Sequence, residues 1–398
     1  MDREQRRKIL GRGKPKTFWE GEPLLGSVYD EDEIKAAVAV MRVAQHDVTT
    51  GFGDPAPIRD FERAFADYVG TKHAVALNSA GPGLDLAMRF LGLEPGDEVI
   101  VPAINFVAAP MSVVGAGGRI VWGEVDPKTL QLDPNDVERR MTPRTRAIYP
   151  VHFNGLSAPV DDYYELAARH PHPKHGPLAV ITDAARAVGG EYRGAKIGKK
   201  GLMTVFSFHT MKNMVTLGEG GMVTTDDDAA AAYVESARFY GGTTDIWGSS
   251  YVMTKVQAAV GQVQLAKLDA FIEDRRRLAR RRSELLADAF GLQVPYEPED
   301  CKHTYYLYTC LVPKDYAGEK RGELMRMMVD EFGVKCLVAN APCYQARKFL
   351  RDQTPGQDLP LSNEIGARLV CLPIHPAMSD EDNEYVAAAA IECMERLR

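Results

Sequence analysis

The amino-acid sequence predicts an α/β protein built around a mainly parallel sheet with helices on both faces. Short apolar runs typical of buried strands alternate with helical patterns through the first two-thirds of the chain. The composition, with 45% hydrophobic and 26% charged residues, is that of a folded globular protein. A chain of 398 residues exceeds what one hydrophobic core usually supports, and the composition changes after about residue 250. We therefore expect a large domain over 15–250 and a smaller one over 251–398.

The elements of the predicted large domain follow one another in a regular order. Helical periodicity covers 31–45 and 57–69, and the apolar run HAVAL at 73–77 is the first predicted strand. The series continues with helices over 83–91 and 107–114 and with strands over 98–102, 119–122, 147–151, 178–182 and 205–208. Strands separated by helices favour parallel pairing, because a crossover helix returns the chain to the same end of the sheet.

The predicted small domain begins with a long helical pattern over 254–290. This pattern carries two arginine runs, 275–277 and 280–282, without interleaved aromatic residues that would stack on bases. We interpret the runs as a solvated helix face. Beyond them, 305–312 is a predicted strand and 322–332 and 380–397 are predicted helices, which indicates a small α/β unit attached through the long helix.

Charge and hydropathy disfavour several kinds of partner and location. The formal net charge of −7 gives no indication of nucleic-acid binding. No apolar run approaches the roughly 18 residues of a membrane span. The basic N-terminus lacks the apolar stretch of a signal peptide. We expect a cytoplasmic protein that binds neither nucleic acid nor membranes.

The cysteines give no indication of a metal site. All 6 lie in the last quarter of the chain, none forms a CxxC pair, and no His/Cys cluster has zinc-like spacing. In a large cytoplasmic protein such residues most often behave as small buried hydrophobes. We therefore predict no bound metal.

Asp183 and Lys212 are the first candidates for chemistry. Asp183 directly follows the apolar run at 178–182, and open parallel sheets place ligands at the C-terminal ends of their strands. Lys212 follows the strand predicted at 205–208, and an amine near such a site can form a Schiff base with a carbonyl. Taken singly, Asp183 is typical of a loop or cap residue and Lys212 of a surface lysine.

Neighbouring segments could hold a phosphate. The sequence NSAGPG at 78–83 joins a strand to a helix, and a helix N-terminus presents free N–H groups to anions; a tight turn is the alternative. Ser207 precedes Lys212, GEGG at 218–221 follows it, and Phe106 follows the strand at 98–102. An acid, an amine, a phosphate cradle and an aromatic ring are together what pyridoxal 5′-phosphate requires, since the acid keeps its ring nitrogen protonated.

Longer motifs resemble a known family. The pattern FSFxxxKxxxxxGEGG with DAA upstream, together with VHFNG at 151–155, MTKVQAAVGQVQLAKLD from Met253 and VCLPIHPAMSDED, is similar to the DegT/DnrJ/EryC1/StrS family. The resemblance covers nearly the whole chain. It implies a fold-type-I pyridoxal-phosphate-dependent aminotransferase with a mixed, mainly parallel seven-stranded sheet in the large domain and a smaller C-terminal α/β domain. It also implies a homodimer whose active sites are shared between subunits.

The resemblance assigns roles to particular residues. Lys212 would form the Schiff base and transfer protons, Asp183 would pair with the ring nitrogen, and Phe106 would cover one face of the ring. Ser207 and the backbone of Ala80 and Gly81 would hold the phosphate. The neighbouring subunit's asparagine, which completes the phosphate shell in the family, aligns with Ser250.

Several positions depart from the family pattern. Gly81 replaces the usual Thr, and Arg186 replaces a Gln or His that would contact the cofactor's phenolic oxygen. Arginine accepts no hydrogen bond, but it can donate one to a phenolate, so Arg186 stays a candidate cofactor-binding residue. Its planar fork could instead bind a substrate carboxylate or phosphate. The segment 341–344 lacks a His that is frequent in the family, which leaves Tyr344 as a candidate substrate residue, with His209 of FSFH as another.

The predicted activity is transfer of an amino group from L-glutamate or L-glutamine to a keto-sugar. We expect the acceptor to be nucleotide-linked and the product to serve amino-sugar or natural-product biosynthesis, including that of antibiotics. A keto-cyclitol or an unactivated keto-sugar is an alternative acceptor. A sugar 3-dehydratase is disfavoured because such relatives replace the lysine with His, whereas Lys212 is present. A non-catalytic, cofactor-binding regulatory protein is the remaining alternative.

Overall fold

A seven-stranded sheet forms the centre of the protein. The computed structural model describes residues 1–18, 22, 24–46, 56–242 and 244–398. The strands of the sheet are His73–Leu77 (β1), Glu98–Pro102 (β2), Arg119–Gly123 (β3), Thr145–Ile148 (β4), Ala179–Asp183 (β5), Met203–Ser207 (β6) and Gly221–Thr225 (β7). Their spatial order is β1-β7-β6-β5-β4-β2-β3. Four neighbouring pairs are parallel, namely β3–β2, β2–β4, β4–β5 and β5–β6. Strand β7 runs antiparallel to both of its neighbours, β1 and β6. The prediction of a mixed, mainly parallel seven-stranded sheet is confirmed.

Helices cover both faces of this sheet. The helices of the described residues are Arg3–Leu10 (α1), Glu31–His46 (α2), Ala56–Val69 (α3), Ala80–Phe90 (α4), Ala108–Gly115 (α5), Pro134–Arg140 (α6), Val160–Arg169 (α7), Asp228–Ala237 (α8), Lys255–Leu286 (α9), Glu319–Asp330 (α10), Cys343–Ala346 (α11), Lys348–Gln353 (α12), Pro360–Arg368 (α13) and Asp380–Arg396 (α14). One face packs against α4, α5 and α8, and the other against α3, α7 and α9. The strands are therefore buried on both sides, which explains their continuous apolar runs.

Some element boundaries differ from the sequence predictions. The strand predicted at 147–151 is displaced to Thr145–Ile148, and the helix predicted from residue 83 begins at Ala80. The sequence analysis missed β7, because its first residue ends the glycine run at 218–221. Burial of all five β7 residues between β1 and β6 makes this segment a strand.

The long helix α9 connects the sheet with the C-terminal part of the chain. It begins with a capping box. The Thr254 side chain accepts a hydrogen bond from the backbone amide of Gln257, and the Gln257 side chain accepts one from the backbone amide of Thr254. Its first half packs with α3 below the sheet, and its second half packs with α10 and α14. The arginine runs form a solvated face only in part: Arg277, Arg280 and Arg281 are exposed, whereas Arg275 and Arg282 are fully buried. They lie two helical turns apart, on the same side of the helix as the buried Leu278.

The C-terminal part has its own core and its own small sheet. Tyr308–Leu311 (β8) pairs antiparallel with Leu369–Leu372 (β9), and α10 and α14 pack beside them. Helix α1 joins this part, where Arg6 pairs with Glu392 and Glu395. The domain division at residue 250 remains a prediction. None of the helices in the described part of the chain combines the length and apolar character that a membrane crossing requires.

Candidate active site

A cavity of 510 Å³ opens at the C-terminal ends of the central strands. Its walls come from both parts of the chain, from the segments after β1, β2, β5 and β6 and from the segment 337–340 before α11. The cavity brings together most of the site residues that the sequence singled out: Ala80, Gly81, Phe106, Asp183, Arg186, Ser207, His209 and Lys212. Because parallel strands end at one edge of a sheet, residues distant in sequence converge here.

Asp183 is the last residue of β5 and lies on the cavity wall, with only 3% of its surface exposed. Its Oδ1 accepts a hydrogen bond of 2.8 Å from the Ala185 amide. Burial raises the pKa of the carboxyl, although Ala185, Lys212 and Arg186 oppose this shift. Lys212 and Arg186 act on Asp183 through their charge, and neither of them donates a hydrogen bond to its carboxyl. A buried acid without a paired cation is suited to a ligand that brings a positive charge.

Lys212 lies in the loop between β6 and β7, on the wall of the same cavity. Burial lowers the pKa of its amine, and the Arg186 cation acts in the same direction, while Tyr306 and Asp183 oppose them. A lowered pKa increases the fraction of neutral amine, which is the form that attacks carbonyl carbon. The loop therefore presents a reactive amine to the cavity.

The N-terminus of α4 provides a site for an anion. Ser79 is the N-cap residue and makes no side-chain cap bond to the first turn. The first-turn N–H groups, which belong to Ala80 and its neighbours, have no partner within the helix and lie beside Ser207 on the cavity wall. Gly221 allows this approach, because a Cβ there would lie 2.5 Å from the Ser79 carbonyl carbon. The arrangement fits the phosphate predicted for this end of the cavity.

Phe106 lies at the mouth of the cavity with 54% of its surface exposed. Its amide donates a hydrogen bond of 2.6 Å to the Asn105 side-chain oxygen, which fixes the turn after β2. An aromatic ring held at a cavity mouth can pack against a planar ligand. Its role as a cover for one ring face remains a prediction.

Comparison with known proteins identifies the family. The sequence profile of the DegT/DnrJ/EryC1/StrS aminotransferase family matches residues 29–391. The chain belongs to this family. Its aminotransferases depend on pyridoxal phosphate, so the predicted family, fold type, enzyme class and cofactor are confirmed.

Individual relatives are similar over most of their length. The spore coat polysaccharide biosynthesis protein SpsC of Bacillus subtilis is 34% identical over 352 residues, with 83% of this chain and 88% of that protein covered. The GDP-perosamine synthase of Caulobacter vibrioides is 36% identical over 340 residues, with the same coverage. The crystal structure of S. venezuelae DesV is 31% identical with a TM-score of 0.84, and the alignment covers 96% of this chain and 99% of that one.

The cavity of this family member fits pyridoxal phosphate on its own geometry. The unpaired Asp183 carboxylate suits the ring nitrogen, Lys212 suits the aldehyde, and the α4 N-terminus with Ser207 suits the phosphate. In the part of the chain that the structure describes, no group of three or more His, Cys, Asp or Glu residues could hold a metal ion.

Arg186 contacts residues that the sequence analysis did not single out. Its Nη1 donates to the Asn154 Oδ1 over 2.8 Å, and its Nη2 donates to the Asn340 Oδ1 over 3.4 Å. The rings of Phe153 and Tyr306 each lie with their centroids 5.7 Å from its Cζ. The guanidinium is therefore held by neutral oxygens and aromatic faces.

Tyr306 is a site residue that sequence reasoning missed. Its ring centroid lies 5.1 Å from the Lys212 Nζ, and it lines the cavity just before β8. Arg275 fixes this segment, since its Nη1 donates to the carbonyl oxygens of Tyr305 and Tyr306. Only the packing of α9 against the C-terminal part brings Tyr306 to Lys212, so no local pattern could have identified it.

Two predicted site residues lie outside the cavity. Tyr344 is buried with its ring 5.7 Å from that of Trp122, and its hydroxyl donates to the Asn363 Oδ1 over 2.7 Å. Its position does not support a role in substrate binding, because both its ring and its hydroxyl are used in internal packing. Ser250 is exposed and pairs with Phe239 in an isolated bridge away from the cavity of its own chain.

His209 reaches the cavity from the Lys212 loop. Its Nδ1 accepts from the Met211 amide over 3.3 Å, and its Nε2 lies 3.8 Å from the Glu219 Oε1. The ring therefore has one nitrogen used by the backbone and one directed toward an acid. A substrate role for His209 remains a prediction.

Proposed function

We propose that the enzyme transfers an amino group from L-glutamate or L-glutamine to a keto-sugar, with a nucleotide-linked sugar as the acceptor. The convergence of Lys212, Asp183 and the α4 N-terminus on one cavity is the observation that carries the transaminase chemistry. The sugar acceptor is supported by the relatives named for perosamine and polysaccharide synthesis. We place the enzyme in amino-sugar or natural-product biosynthesis in the cytoplasm.

The residues of this chain divide the work of the reaction. When bound, pyridoxal phosphate supplies an aldehyde that condenses with amines and a ring that accepts an electron pair. Lys212 would hold the aldehyde end of the bound group and, as a free amine, would carry the proton to and from the α-carbon of the amino donor. Asp183 would hold a positive charge at the ring nitrogen, which would favour loss of that proton. The same two residues would serve the transfer of the amino group to the ketone.

We propose that two copies of the chain share their active sites. Ser250 would enter the site of the partner subunit, and the surface around it is apolar: Phe239, Tyr240 and Trp247 are 62%, 68% and 56% exposed. Exposed aromatic clusters of this kind mark protein interfaces. A groove lined by α2 and by 252–255 continues this surface.

The absorption spectrum of the purified enzyme tests the catalytic proposal. Visible absorption by the bound cofactor should be lost in Lys212→Ala and retained in the control Lys199→Ala, whose amine is exposed and pairs with Asp226. L-Glutamate or L-glutamine should bleach the wild-type absorption and yield a keto acid. Amino transfer by Lys212→Ala should fall by about 10²–10⁴-fold or more, the range for a positioned base. Bound cofactor that no amino donor changes would contradict the proposal and favour a regulatory role.

A panel of ketones tests the acceptor. After reaction with the amino donor, the enzyme should transfer its amino group to nucleotide-linked keto-sugars. The rate of this transfer should be far lower with free keto-sugars or keto-cyclitols. Preference for a keto-cyclitol would reject the acceptor assigned here while leaving the aminotransferase chemistry intact.

A further inference from the structure

Arg186 is a permanent cation without an anionic partner in the described part of the chain. Its side chain is half-buried on the cavity wall, and its hydrogen bonds there go to two neutral amide oxygens. The guanidinium is planar, carries a positive charge, and can donate hydrogen bonds but accept none. A buried charge held only by neutral groups is incompletely compensated.

The two asparagines fix the orientation of the guanidinium. Because arginine only donates hydrogen bonds, each asparagine must direct its oxygen toward Arg186 and its amide nitrogen elsewhere. The Asn154 nitrogen donates to the Thr309 hydroxyl on β8 over 2.7 Å. Asn154 is therefore fully used as an orienting residue, tied to both parts of the chain.

Asn340 has a free donor. Its Nδ2 is buried without a hydrogen-bond partner among the described residues, and the residue lines the cavity. Its backbone has φ of 118°, a conformation that residues other than glycine rarely adopt. Strained backbone and an unpaired polar group are both costly to the fold, and such features concentrate at binding sites.

Asn105 supplies a second unpaired donor in the same cavity. Its oxygen accepts from the Phe106 amide, and its Nδ2 is buried without a partner in the described residues. The residue is only 3% exposed. The cavity thus contains one guanidinium and two amide donors whose bonds to the protein are incomplete.

We propose that Arg186 and Asn340 form a carboxylate subsite within this cavity, with Asn154 as the residue that positions Arg186. The planar fork of arginine matches the two oxygens of a carboxylate, and the Asn340 amide adds a third donor. The single negative charge of a carboxylate matches the single positive charge of the Arg186 guanidinium. The neighbouring wall is apolar, formed by Leu307, Leu337, Val338 and Ala339. Such surroundings strengthen a charged hydrogen bond by excluding water.

The carboxylate has two possible sources under the proposed function. The amino donor carries an α-carboxylate, and a sugar acid used as acceptor would also carry one. The subsite itself depends on neither source and can be tested without turnover. Its link to donor or acceptor rests on the proposed function.

Binding of a non-reactive dicarboxylate tests the subsite. Calorimetric titration of the cofactor-loaded enzyme with glutarate should show binding that its neutral diamide, glutaramide, lacks. Arg186→Gln should weaken glutarate binding by about 10- to 100-fold, the range for a hydrogen bond to a charged group. Asn340→Ala should weaken it less, and Arg186→Lys should retain part of the affinity, because it keeps the charge and loses the fork.

The controls separate a subsite from general damage. Arg169→Gln removes an exposed arginine that pairs with Glu138 on the surface, and it should bind glutarate as the wild type does. Cofactor absorption confirms that each variant is folded. If Arg186→Gln shifts the pH dependence of the cofactor's absorption but leaves glutarate affinity unchanged, Arg186 acts on the cofactor and the inference is overturned. Should that variant misfold, unchanged glutarate affinity in both Asn340→Ala and Arg186→Lys would overturn it equally.

Half-reactions identify the source of the carboxylate. A higher KM for L-glutamate and for 2-oxoglutarate in Arg186→Gln, with kcat little changed, assigns the subsite to the donor. A loss confined to keto-sugars that bear a carboxylate, relative to neutral keto-sugars, assigns it to the acceptor. The enzyme could bind glutarate through Arg186 and yet show no transaminase activity. That result would reject the proposed function and would still support the carboxylate subsite.

Discussion

At the scale of single residues, the cavity shifts an acid and a base in opposite directions by the same physical cause. Burial penalises charge, so it raises the pKa of Asp183 and lowers the pKa of Lys212. For Lys212 the shift favours the neutral amine that reacts. For Asp183 it means that the carboxylate is poorly stabilised until a cation binds beside it. The cost of burying Asp183 is therefore a cost that the cofactor can relieve.

Replacing Asp183 should raise stability and lower activity. A carboxyl whose folded-state pKa lies above its ordinary value of 3.8 loses stabilisation as pH rises through the folded pKa. Cofactor-free Asp183→Asn should therefore be more stable than wild type at neutral pH, by roughly 1–3 kcal/mol, and nearly equal to it in acid. Amino transfer should fall by about 10²-fold or more. Thermal unfolding at both pH values and keto-acid formation are the measurements.

Asp226→Asn is the matched control. Burial acts to raise the pKa of Asp226, a surface acid. Hydrogen bonds from the Lys199 amine and the Lys72 amide outweigh burial and lower the pKa below its ordinary value. Its stabilising effect is present above its ordinary pKa and is lost as pH falls through the lowered value. This variant should lose a little stability at neutral pH and keep its activity. The prediction fails if cofactor-free Asp183→Asn is less stable than wild type at neutral pH. Burial would then not destabilise the charged form of the Asp183 carboxyl.

At the scale of elements, the segment before α2 packs directly on the loop that carries Lys212. The Leu24 amide donates to the Thr210 carbonyl oxygen over 3.3 Å, and the Leu217 amide donates to the Tyr29 hydroxyl over 2.9 Å. Arg275 of α9 donates to the Leu25 carbonyl oxygen from the other side. The Lys212 loop is thus held between an N-terminal segment and the fold beneath it.

Gly26→Ala should displace this segment. A Cβ at Gly26 would lie 1.7 Å from the Lys212 carbonyl oxygen, and neither backbone can yield without moving the loop. We expect destabilisation of about 1–3 kcal/mol from overpacking, with weaker cofactor binding and slower amino transfer. Thermal unfolding and cofactor titration measure the two effects. Gly115→Ala, where a Cβ meets nothing within 4 Å, is the control, and equal behaviour of the two variants would exclude a role for the close contact.

At the scale of the whole molecule, an apolar stripe on α2 remains open to solvent in a single chain. Ile34, Val38 and Met41 are 55%, 37% and 62% exposed, and their spacing places them on one side of the helix. The adjoining groove includes Val252, close to Ser250. A second copy covering this surface would bury the stripe and bring Ser250 toward the partner's cavity, in agreement with the proposed homodimer.

Met41→Asp should split this dimer. A carboxylate placed within an apolar interface is desolvated without a partner, so the monomer should predominate and activity should fall with it. Light scattering coupled to gel filtration measures the mass. Val329→Asp places the same charge on another exposed apolar residue, 41% accessible on α10, and should leave mass and activity unchanged. A wild-type enzyme that is already monomeric and active would contradict the shared site.

Local sequence patterns predicted the features that they encode. The apolar runs gave six of the seven sheet strands nearly in place, because a strand buried on both faces must be apolar along its length. Asp183 and Lys212 were identifiable since each follows a predicted strand, and parallel strands end at one edge. The family motifs then fixed the cofactor and the enzyme class.

Contacts between distant segments place the remaining side chains, and only the folded chain shows them. Burial of Arg275 within an apparently solvated arginine run follows from the packing of α9 against the carbonyl oxygens of Tyr305 and Tyr306. Tyr344 is directed to Asn363, away from the cavity. Asn340 reaches Arg186 only because the C-terminal part folds back over the strand ends. These side chains are placed by long-range packing, which no local periodicity records.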